Sequence, residues 1–598
     1  MKFSGLLLFL CLYSGIASAQ IVCAVTSPQS AANSLAFSWA LPSNGWGSPD
    51  FNIPGNHVTG ELVLVDDGTP GNNPLSNVPL SAYGCGALVN SLSGKIALIY
   101  RYDGITPSTL CFLYDKAINA QNAGAIAVVV VNRPDGPEDV GGGGTVGPNV
   151  NIPVVMVSFS DGEIMRSELQ NGPVEMFIGN KTGLFTNDIG LSNRINLIPK
   201  SYAIPSAIAL NGTPLTIELG TQLHNFGTAI QSNVFAHATI KDPTGATIYS
   251  NNVGPITLNP GDSLAILPGG TFAFPPFNLP LTSEGIYDIE YSSEIASVID
   301  SFPGDNVGVH SFFVNDKVFS YARIDSTTNL PKASNNYRPT ASNSTYSICS
   351  TLKLENTNLI GITGLSFIAS TPYGSGISLA GEEMIISLYA WVDNFTSIND
   401  PSFGFTTLSP LNVSYYYYPS DLQYQAVEAD FSGEPIILQN NIRYLACVQT
   451  TNPQVYFGHD RNVNYTANQV LYAQPTTPNE SDGSYFGEGF GADLPSSLGI
   501  QLCVLTDGTC NLSINPLPVN EQEYFPNPFD TKITFNVSAE TDYFIIVDCS
   551  GKIMHTEQVL FDATTLSVNT TNWTSGMYIV QSYNSKKELQ TVHKMVKR

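Results

Sequence analysis

Four consecutive tyrosines, Tyr415–Tyr418, are the first candidate for holding a ligand. Side chains of a β-strand alternate between the two faces of a sheet, so Tyr415 and Tyr417 share one face, and Tyr416 and Tyr418 share the other. An exposed pair of phenol rings offers a stacking platform for a sugar or a peptide. The alternative is a strand with one tyrosine row in the core and the other row facing solvent.

This alternation makes a specific prediction about binding. If the run binds a ligand, Tyr416→Ala or Tyr417→Ala weakens binding without unfolding the domain. Only one of the two substitutions has this effect, because the two rings face opposite sides. Equal loss from both would contradict the interpretation.

A second aromatic candidate lies in the glycine-rich segment Gly483–Gly491, which contains Tyr485 and Phe486. Glycines around aromatic rings are compatible with a mobile binding loop. The same composition fits a long connection whose rings cover the edge of a core. The sequence leaves both interpretations open.

Two carboxylates, Asp300 and Asp305, lie in the turn-like segment Asp300–Asn306 and are candidate metal ligands. Calcium takes oxygen ligands, so it is the cofactor that this pair would hold. The alternative is an acidic turn that closes the last hairpin of a β domain. No other cofactor is predicted.

Catalytic motifs are missing from the sequence. It has no His-Glu-x-x-His metalloprotease motif and no Gly-x-Ser-x-Gly nucleophile elbow. His459 and Asp460 are adjacent, but neighbouring residues of a strand face opposite ways. Paired carboxylates such as Glu382 and Glu383 cannot be placed in space without a fold, so a glycosidase stays an alternative. We therefore predict a protein that is not an enzyme.

Composition and length indicate an exported protein of several domains. The chain has 598 residues and a formal net charge of −25, which argues against nucleic acid or an anionic membrane as a partner. At ~150 residues per domain, about four domains are expected. Residues 1–19 have the pattern of a signal peptide, with Lys2, an apolar run and Ala17-Ser18-Ala19. No other stretch is long and apolar enough for a membrane span.

The segment from Gly94 to Gly172 reads as strand, helix, strand, loop, strand and helix. Residues 125–131 form a continuous β-branched run, as in a strand that is covered on both faces. Four motifs then resemble the protease-associated (PA) domain: Gly94–Ile99, Asn119–Ala125, Ile152–Ser158 and Asp161–Glu163. The resemblance implies an α/β domain over residues 20–185, including an N-terminal arm. In this family the domain is a non-catalytic insert or lid of secreted peptidases, receptors and sorting proteins.

Cysteines of an exported chain favour disulfides. The PA resemblance implies a bridge between Cys85 and Cys111. Cys503 and Cys510 close a short loop, and Cys349 and Cys447 are assigned to one domain, so these two further pairs are the candidate disulfides. The pairing of Cys23 and Cys549 is left open.

Two β-rich regions follow. Residues 187–324 have short strands at roughly ten-residue spacing, which is typical of an immunoglobulin-like (Ig-like) sandwich. The segments Leu223–Thr228 and Asp300–Asn306 are similar to the cell-adhesion-related type of bacterial Ig-like module. Residues 325–512 have the size and strand spacing of a jelly-roll-like β-sandwich.

The last region contains four ordered motifs that resemble the type A C-terminal sorting domain of the type IX secretion system. The prediction covers residues 520–598, and its signal residues are Pro526, Asn527, Pro528, Gly551, Lys552, Gly576, Tyr578, Lys594 and Lys597. The resemblance implies interaction with the type IX secretion machinery and export across the outer membrane of a Gram-negative bacterium. Deleting residues 594–598 is expected to trap the protein in the periplasm.

The predicted fold class is mainly β and multidomain. An α/β PA domain is followed by an Ig-like β-sandwich, a jelly-roll-like β-sandwich and a C-terminal β-sandwich sorting domain. The predicted function is non-catalytic binding of an extracellular protein, peptide or glycan, secreted or at the cell surface. The alternatives are a peptidase or glycosidase of unrecognised type, and an adhesin or surface structural component.

Overall fold

The computed structural model divides the chain into two compact units, Met1–Cys510 and Asn511–Arg598, which are treated separately. The signal-peptide region and Cys549 lie outside the described residues. The structure describes residues 21–28, 33–35, 37–73, 76–101, 109–133, 140–192, 195–210, 215–278, 280–339, 342, 344–354, 360–372, 375–392, 394–504, 510, 524–537, 541–548, 552–559, 563–585 and 589–598.

The first unit begins with an α/β module built on an eight-stranded sheet of order β2-β1-β8-β4-β5-β6-β7-β3. Strands β4 to β7 are parallel, and β5, β6 and β7 are buried throughout. The N-terminal arm pairs with β8 on one side and with β7 on the other. The elements are β1 Ile21–Ser27, β2 Asn33–Ser34, β3 Phe37–Trp39, β4 His57–Leu64, β5 Ile96–Tyr100, α1 Leu113–Asn122, β6 Ala127–Val131, β7 Val154–Val157, α2 Phe159–Glu168 and β8 Glu175–Asn180.

The sequence Ser160–Glu163 has the spacing of a capping box and predicts Ser160 as the N-cap of α2, but the helix starts two residues earlier, at Phe159. Its N-cap is Ser158, whose hydroxyl oxygen accepts the Asp161 backbone N–H at 3.0 Å. Glu163 is not available for capping because its carboxylate binds Tyr100 and Arg166. At Gly162 a Cβ atom would lie 2.1 Å from Val131, so glycine is what lets this helix approach β6 closely.

The Ig-like module packs two sheets around one core. Strands β14, β11 and β9 form the smaller sheet, and β13, β12, β15 and β16 begin the larger one. Buried residues of both sheets, such as Leu223 and Ile289, belong to the same hydrophobic cluster. The elements are β9 Ile189–Leu191, β10 Ala203–Pro205, α3 Ser206–Ala209, β11 Thr221–Asn225, β12 Gln231–Lys241, β13 Thr247–Leu258, β14 Ser263–Ile266, β15 Gly285–Ile295 and β16 Val307–Asn315.

The jelly-roll-like module pairs a six-stranded sheet of order β22-β21-β25-β19-β27-β28 with strands that extend the Ig-like sheet. Its core is the largest cluster of the chain's described residues. The elements are β17 Val318–Ser320, β18 Asn335–Tyr337, β19 Tyr346–Lys353, β20 Ile360–Ser370, β21 Glu383–Trp391, β22 Leu408–Tyr417, β23 Ala426–Asp430, β24 Ile436–Ile437, β25 Arg443–Thr450, β26 Tyr456–His459, α4 Thr466–Tyr472, β27 Asn479–Ser481, β28 Ser484–Phe486 and β29 Leu498–Val504.

The two β modules share one twelve-stranded sheet, although the sequence predicts separate domains that meet at residue 324. Strand β10 pairs with β16 of the Ig-like module and with β17, and β17 pairs with β29. Phe319 and Tyr321 lie before the predicted boundary, yet they pack in the jelly-roll-like core. Backbone hydrogen bonds therefore run from one module into the other.

The second unit has a three-stranded sheet, β30-β31-β34, and a four-stranded sheet, β33-β32-β35-β36. Phe529, Phe535, Phe544, Tyr578 and Met595 are among its buried residues. The strands are β30 Tyr524–Phe525, β31 Lys532–Asn536, β32 Tyr543–Asp548, β33 Ile553–Gln558, β34 Thr565–Asn569, β35 Gly576–Tyr583 and β36 Leu589–Lys597.

The three predicted disulfides are confirmed: Cys85–Cys111, Cys349–Cys447 and Cys503–Cys510. Cys349 and Cys447 are direct cross-strand partners of β19 and β25. Cys23 is a buried free thiol in β1, where burial raises its pKa well above the usual range. Among the described residues, no helix has the length and apolar character of a membrane-crossing segment.

Candidate functional site

The six-stranded sheet places Tyr415 and Tyr417 of the tyrosine run on the same face as Tyr485 of the glycine-rich segment. Directly paired residues of neighbouring strands share a face. Six strands are separated by five spacings of about 4.8 Å, so a row across the whole sheet is roughly 24 Å long. The register gives one row across all six strands, in the order Tyr415, Ile385, Gln449, Ser347, Glu480 and Tyr485. We name the side of the sheet that carries this row the outward face.

The tyrosine run splits between the two faces as its alternation predicts. Tyr415 and Tyr417 are 57% and 58% exposed on the outward face, whereas Tyr418 is buried at 2%. Tyr416 packs against the core, and its ring meets Phe367 edge-on with a centroid distance of 5.8 Å. The core interpretation therefore holds for Tyr416 and Tyr418, and the outward pair alone is open to a ligand.

The exposed tyrosines continue an apolar row along β22, at one edge of the six-stranded sheet. Leu411 and Val413 precede them at alternate positions and are 43% and 46% exposed. The Tyr417 hydroxyl donates to the Glu383 carboxylate at 2.6 Å, and this hydrogen bond raises the pKa of Tyr417. The hydroxyl is thus fixed in place while the ring stays exposed to solvent.

A hydrogen-bonded carboxylate lies in the polar centre of the row. Glu480 is only 4% exposed and accepts hydrogen bonds from Ser347 Oγ at 2.9 Å, Gln449 Nε2 at 3.1 Å and Thr345 Oγ1 at 3.0 Å. Buried carboxylates require such donors. The sequence gives no local signal for Glu480 or Gln449, because their proximity depends on strand register.

Tyr485 lies at the far end of the row and is half-buried. Its ring stacks on Phe405 with a centroid distance of 4.5 Å and an interplanar angle of 14°. Burial raises the pKa of its hydroxyl to about 12. Phe486 is 51% exposed and, as the next residue of β28, points to the opposite face. Tyr485 therefore covers the edge of a core, which is the alternative that the sequence analysis gives for the glycine-rich segment.

The two candidate calcium ligands lie where the α/β module meets the Ig-like module. The Lys181 ammonium is fully buried and pairs with Asp188 at 2.6 Å and with Asp305 at 2.7 Å. Asp300 accepts backbone N–H groups from Ile189 and Phe302. Among the described residues, no group of three or more His, Cys, Asp or Glu side chains is arranged to hold a metal ion. Calcium ligation stays a prediction.

At this junction, burial is the main cause of the shifted pKa values of the carboxyl groups. Burial raises the pKa of Asp188 to about 7 against the opposing effect of Lys181, and the neighbouring Asp305 adds to the rise. The pKa of Asp305 is also raised by burial. The Lys181 ammonium lies 4.6 Å from the ring centroids of both Phe226 and Phe302.

His459 and Asp460 do not form a catalytic pair in this structure. Burial lowers the pKa of His459 to about 4, and its Nδ1 contacts the Phe457 carbonyl at 3.0 Å. The Asp460 carboxylate instead accepts two hydrogen bonds from the Arg323 guanidinium, at 2.9 and 3.0 Å. Both side chains are buried, and they bind different partners.

Several of the predicted sorting-signal residues lie beside the last strand of the second unit. Asn527 accepts the Val596 N–H at 3.0 Å and donates to the Lys594 carbonyl at 3.2 Å. Lys597 is buried and donates to the Asp530 carbonyl. Tyr578 is buried and donates to the Thr574 carbonyl at 2.7 Å. The remaining signal residues are Pro526 and Pro528 beside Asn527, Lys552 in the β32–β33 turn, Gly576 at the start of β35, and Gly551, which lies outside the described residues.

Comparison with protein families confirms both resemblances. The PA domain model matches residues 58–165, and the model of a secretion system C-terminal sorting domain matches residues 523–598. The sorting domain indicates export to the cell surface or the extracellular space, and it implies interaction with the secretion machinery. No curated protein matches the sequence significantly.

Three solved structures are similar to parts of the chain. An aminopeptidase from Aneurinibacillus sp. strain AM-1 is 22% identical over 28% of this chain and 31% of its own, with a TM-score of 0.19. A zinc aminopeptidase from Bacillus subtilis is 22% identical over 27% and 29%, with a TM-score of 0.16. A CARDB domain from Pyrococcus furiosus is 17% identical over 22% and 92%, with a TM-score of 0.15. This chain thus spans less than a third of either aminopeptidase.

Proposed function

We propose that this exported protein is a non-catalytic glycan-binding protein that contacts its ligand through the outward face of the six-stranded sheet. The observation that carries the proposal is the pair of exposed rings, Tyr415 and Tyr417, on a face whose centre is polar. Sugar rings have apolar faces that stack on aromatic side chains, and they have hydroxyls that need hydrogen-bond partners. The outward face offers both.

The accessible part of this face lies toward the β22 edge, because Ser347 and Glu480 in the middle of the row are each 4% exposed. Gln449, between that edge and Glu480, is fixed by its hydrogen bond to the Glu480 carboxylate at 3.1 Å. A prearranged polar group loses less entropy when a ligand binds than a mobile one does. Exposed rings beside a fixed amide are compatible with a sugar unit stacked at this edge of the sheet.

The test measures affinity of the full chain for a panel of soluble polysaccharides by affinity gel electrophoresis. Tyr415→Ala and Tyr417→Ala should each weaken binding at least about fivefold, close to 1 kcal/mol, with the thermal melting curve unchanged. Tyr416→Ala should lower the melting temperature instead, because its ring packs in the core. The matched control is Tyr337→Ala, which removes a 40% exposed ring from the other sheet.

If Tyr415→Ala and Tyr417→Ala are both retarded by the polysaccharide as strongly as the unmodified protein is, the assignment of the ligand to the outward face is refuted. The non-catalytic part is tested by mass spectrometry of polysaccharides and peptides incubated with the protein. New cleavage products would overturn it and would favour the peptidase or glycosidase alternative.

A further inference from the structure

A cavity of about 480 Å³ lies where the Ig-like module meets the jelly-roll-like module. Residues near β10 and α3 form one wall, and residues of β19, β25 and α4 form the other. Small-molecule sites typically occupy about 300–1,000 Å³, whereas one water takes about 30 Å³ of liquid. The cavity therefore has room for an organic ligand and not only for an ion.

The charge of the lining is opposite to that of the chain. Lys200, Lys353 and Arg443 line the cavity, and none of the lining residues in the described part of the chain is Asp or Glu. The whole chain has 49 acidic residues and 24 Lys plus Arg, so an average surface would carry about two acids for every base. A cationic recess in an acidic protein concentrates anions.

The cations are held by different means. Lys353 and Arg443 are direct cross-strand partners of β19 and β25, an arrangement of like charges that is unfavourable by itself. The Arg443 guanidinium is buried and donates to Gln474 Oε1 at 2.7 Å. The exposed Lys200 ammonium lies 5.0 Å from the ring centroid of Tyr472. An anion in the cavity would add a favourable interaction with these cations.

The other residues that line the cavity indicate the chemistry of the uncharged part of the ligand. Ile208, Leu354 and the Tyr472 ring supply apolar surface. The Tyr472 hydroxyl is neutral at physiological pH and able to donate, and burial raises its pKa further, to about 12. Phosphate sites typically use backbone N–H groups of glycine-rich loops, and the described lining contains no glycine.

We propose that this cavity binds a small ligand that carries a carboxylate on a ring-sized organic body. Such a carboxylate has two sources outside a cell, an acidic sugar or the terminal carboxylate of a peptide. The inference goes beyond the proposed glycan face, because neither Tyr415 nor Tyr417 lines the cavity. Either proposal can fail while the other stands.

The experiment is isothermal titration calorimetry of the full chain with two matched pairs of probes. The first pair is D-galacturonate and neutral D-galactose, and the second is N-acetyltyrosine and its amide. The acidic member of at least one pair should bind at least about tenfold tighter than its neutral partner. Raising NaCl from about 50 to about 500 mM should weaken that binding, because salt screens exposed charges.

Two neutralising variants connect the binding to the cavity. Lys200→Gln and Lys353→Gln should each weaken binding of the acidic probe about fivefold while the melting temperature is unchanged, since both side chains are exposed. The control is Lys241→Gln, which neutralises an exposed lysine of the Ig-like module outside the cavity. Its affinity should equal that of the unmodified protein.

The pair that responds identifies the source of the carboxylate. Galacturonate binding supports an acidic sugar, and N-acetyltyrosine binding supports a peptide terminus. The proposal is overturned if none of the four probes binds, if acid and neutral probes bind equally, or if Lys241→Gln weakens binding as much as Lys200→Gln does.

Discussion

Two junctions flank the Ig-like module, and lysine side chains are present at both. At the junction with the PA module, Lys181 is fully buried and pairs with Asp188 and Asp305. At the junction with the jelly-roll-like module, Lys200 and Lys353 are exposed beside a cavity of about 480 Å³. The first junction encloses Lys181, whereas the second leaves Lys200 and Lys353 exposed to solvent and buries only Arg443 among the described cations that line its cavity.

The difference follows from the cost of desolvation. An ammonium that is removed from water must be neutralised by the chain itself, so the first junction contains its own carboxylates. An exposed lysine keeps most of its hydration, so an ion pair adds little to its stability. The junction with the PA module, which we call the closed junction, is therefore a structural connection between modules. The junction with the jelly-roll-like module, which we call the open junction, has exposed positive charge and space for a ligand. Four predictions test this contrast, from the largest expected effect to the smallest.

Lys181→Met at the closed junction should have the largest effect. It removes the buried ammonium but leaves Asp188 and Asp305 buried, and breaking such a pair costs about 3–5 kcal/mol. The free energy of unfolding from a urea titration measures the loss. The control is Lys241→Met, whose exposed pair with Glu290 should contribute below about 1 kcal/mol. Equal losses would show that charge does not hold this junction.

Arg323→Met should have the next largest effect among the substitutions, because the described part of the open junction also contains an ion pair with a buried carboxylate. Asp460 is fully buried, whereas Arg323 is about one third exposed, so solvent screening reduces the expected loss to about 2 kcal/mol. The backbone N–H of Arg323 still donates to Asp460 in the variant. Urea unfolding measures the change, with Arg461→Met at the exposed neighbouring arginine as control. A loss as small as the control's would contradict the prediction.

The pH dependence of the closed junction gives the third prediction. The folded-state pKa of Asp188 is raised from 3.8 to about 7, so its contribution to stability is complete below about 3.8 and is lost as pH rises through about 7. Relative to Asp188→Asn, the unmodified protein should therefore lose unfolding free energy between pH 4 and pH 7, by at most about 1.4 kcal/mol per pH unit.

Urea titrations of both proteins at several pH values measure this difference. His224, His310 and His459 have pKa values lowered to about 4 by burial, so they give the opposite slope. Their contribution is common to both proteins and cancels in the difference. A difference that is flat, or that grows with pH, would be evidence against a raised pKa at Asp188.

Lys200→Gln at the open junction should have the smallest effect on stability. Its side chain is exposed and contacts the Tyr472 ring, so the free energy of unfolding should change by less than about 0.5 kcal/mol. Urea unfolding beside Lys181→Met gives the direct comparison. A loss above about 1 kcal/mol would mean that the two junctions do not differ in kind.

Local sequence signals predicted much of the fold. Within the continuous β-branched run of residues 125–131, Ala127–Val131 forms a fully buried strand, because a strand covered on both faces needs a continuous apolar run. The same signals failed at the start of α2, where two serines compete as N-cap. Strand pairing also crosses residue 324, which the sequence analysis places between two domains.

The sequence by itself determined the PA and sorting motifs, the three disulfides and the two-sided tyrosine run. These features depend on residue types at short spacing or on a match to a family. Only the tertiary structure decided that Tyr415 and Tyr417 are the exposed pair and that Glu480 lies in their row. It also decided that Lys181 faces Asp305 rather than solvent. Such contacts depend on register and on module packing, which join residues far apart in the chain, and no local pattern encodes them.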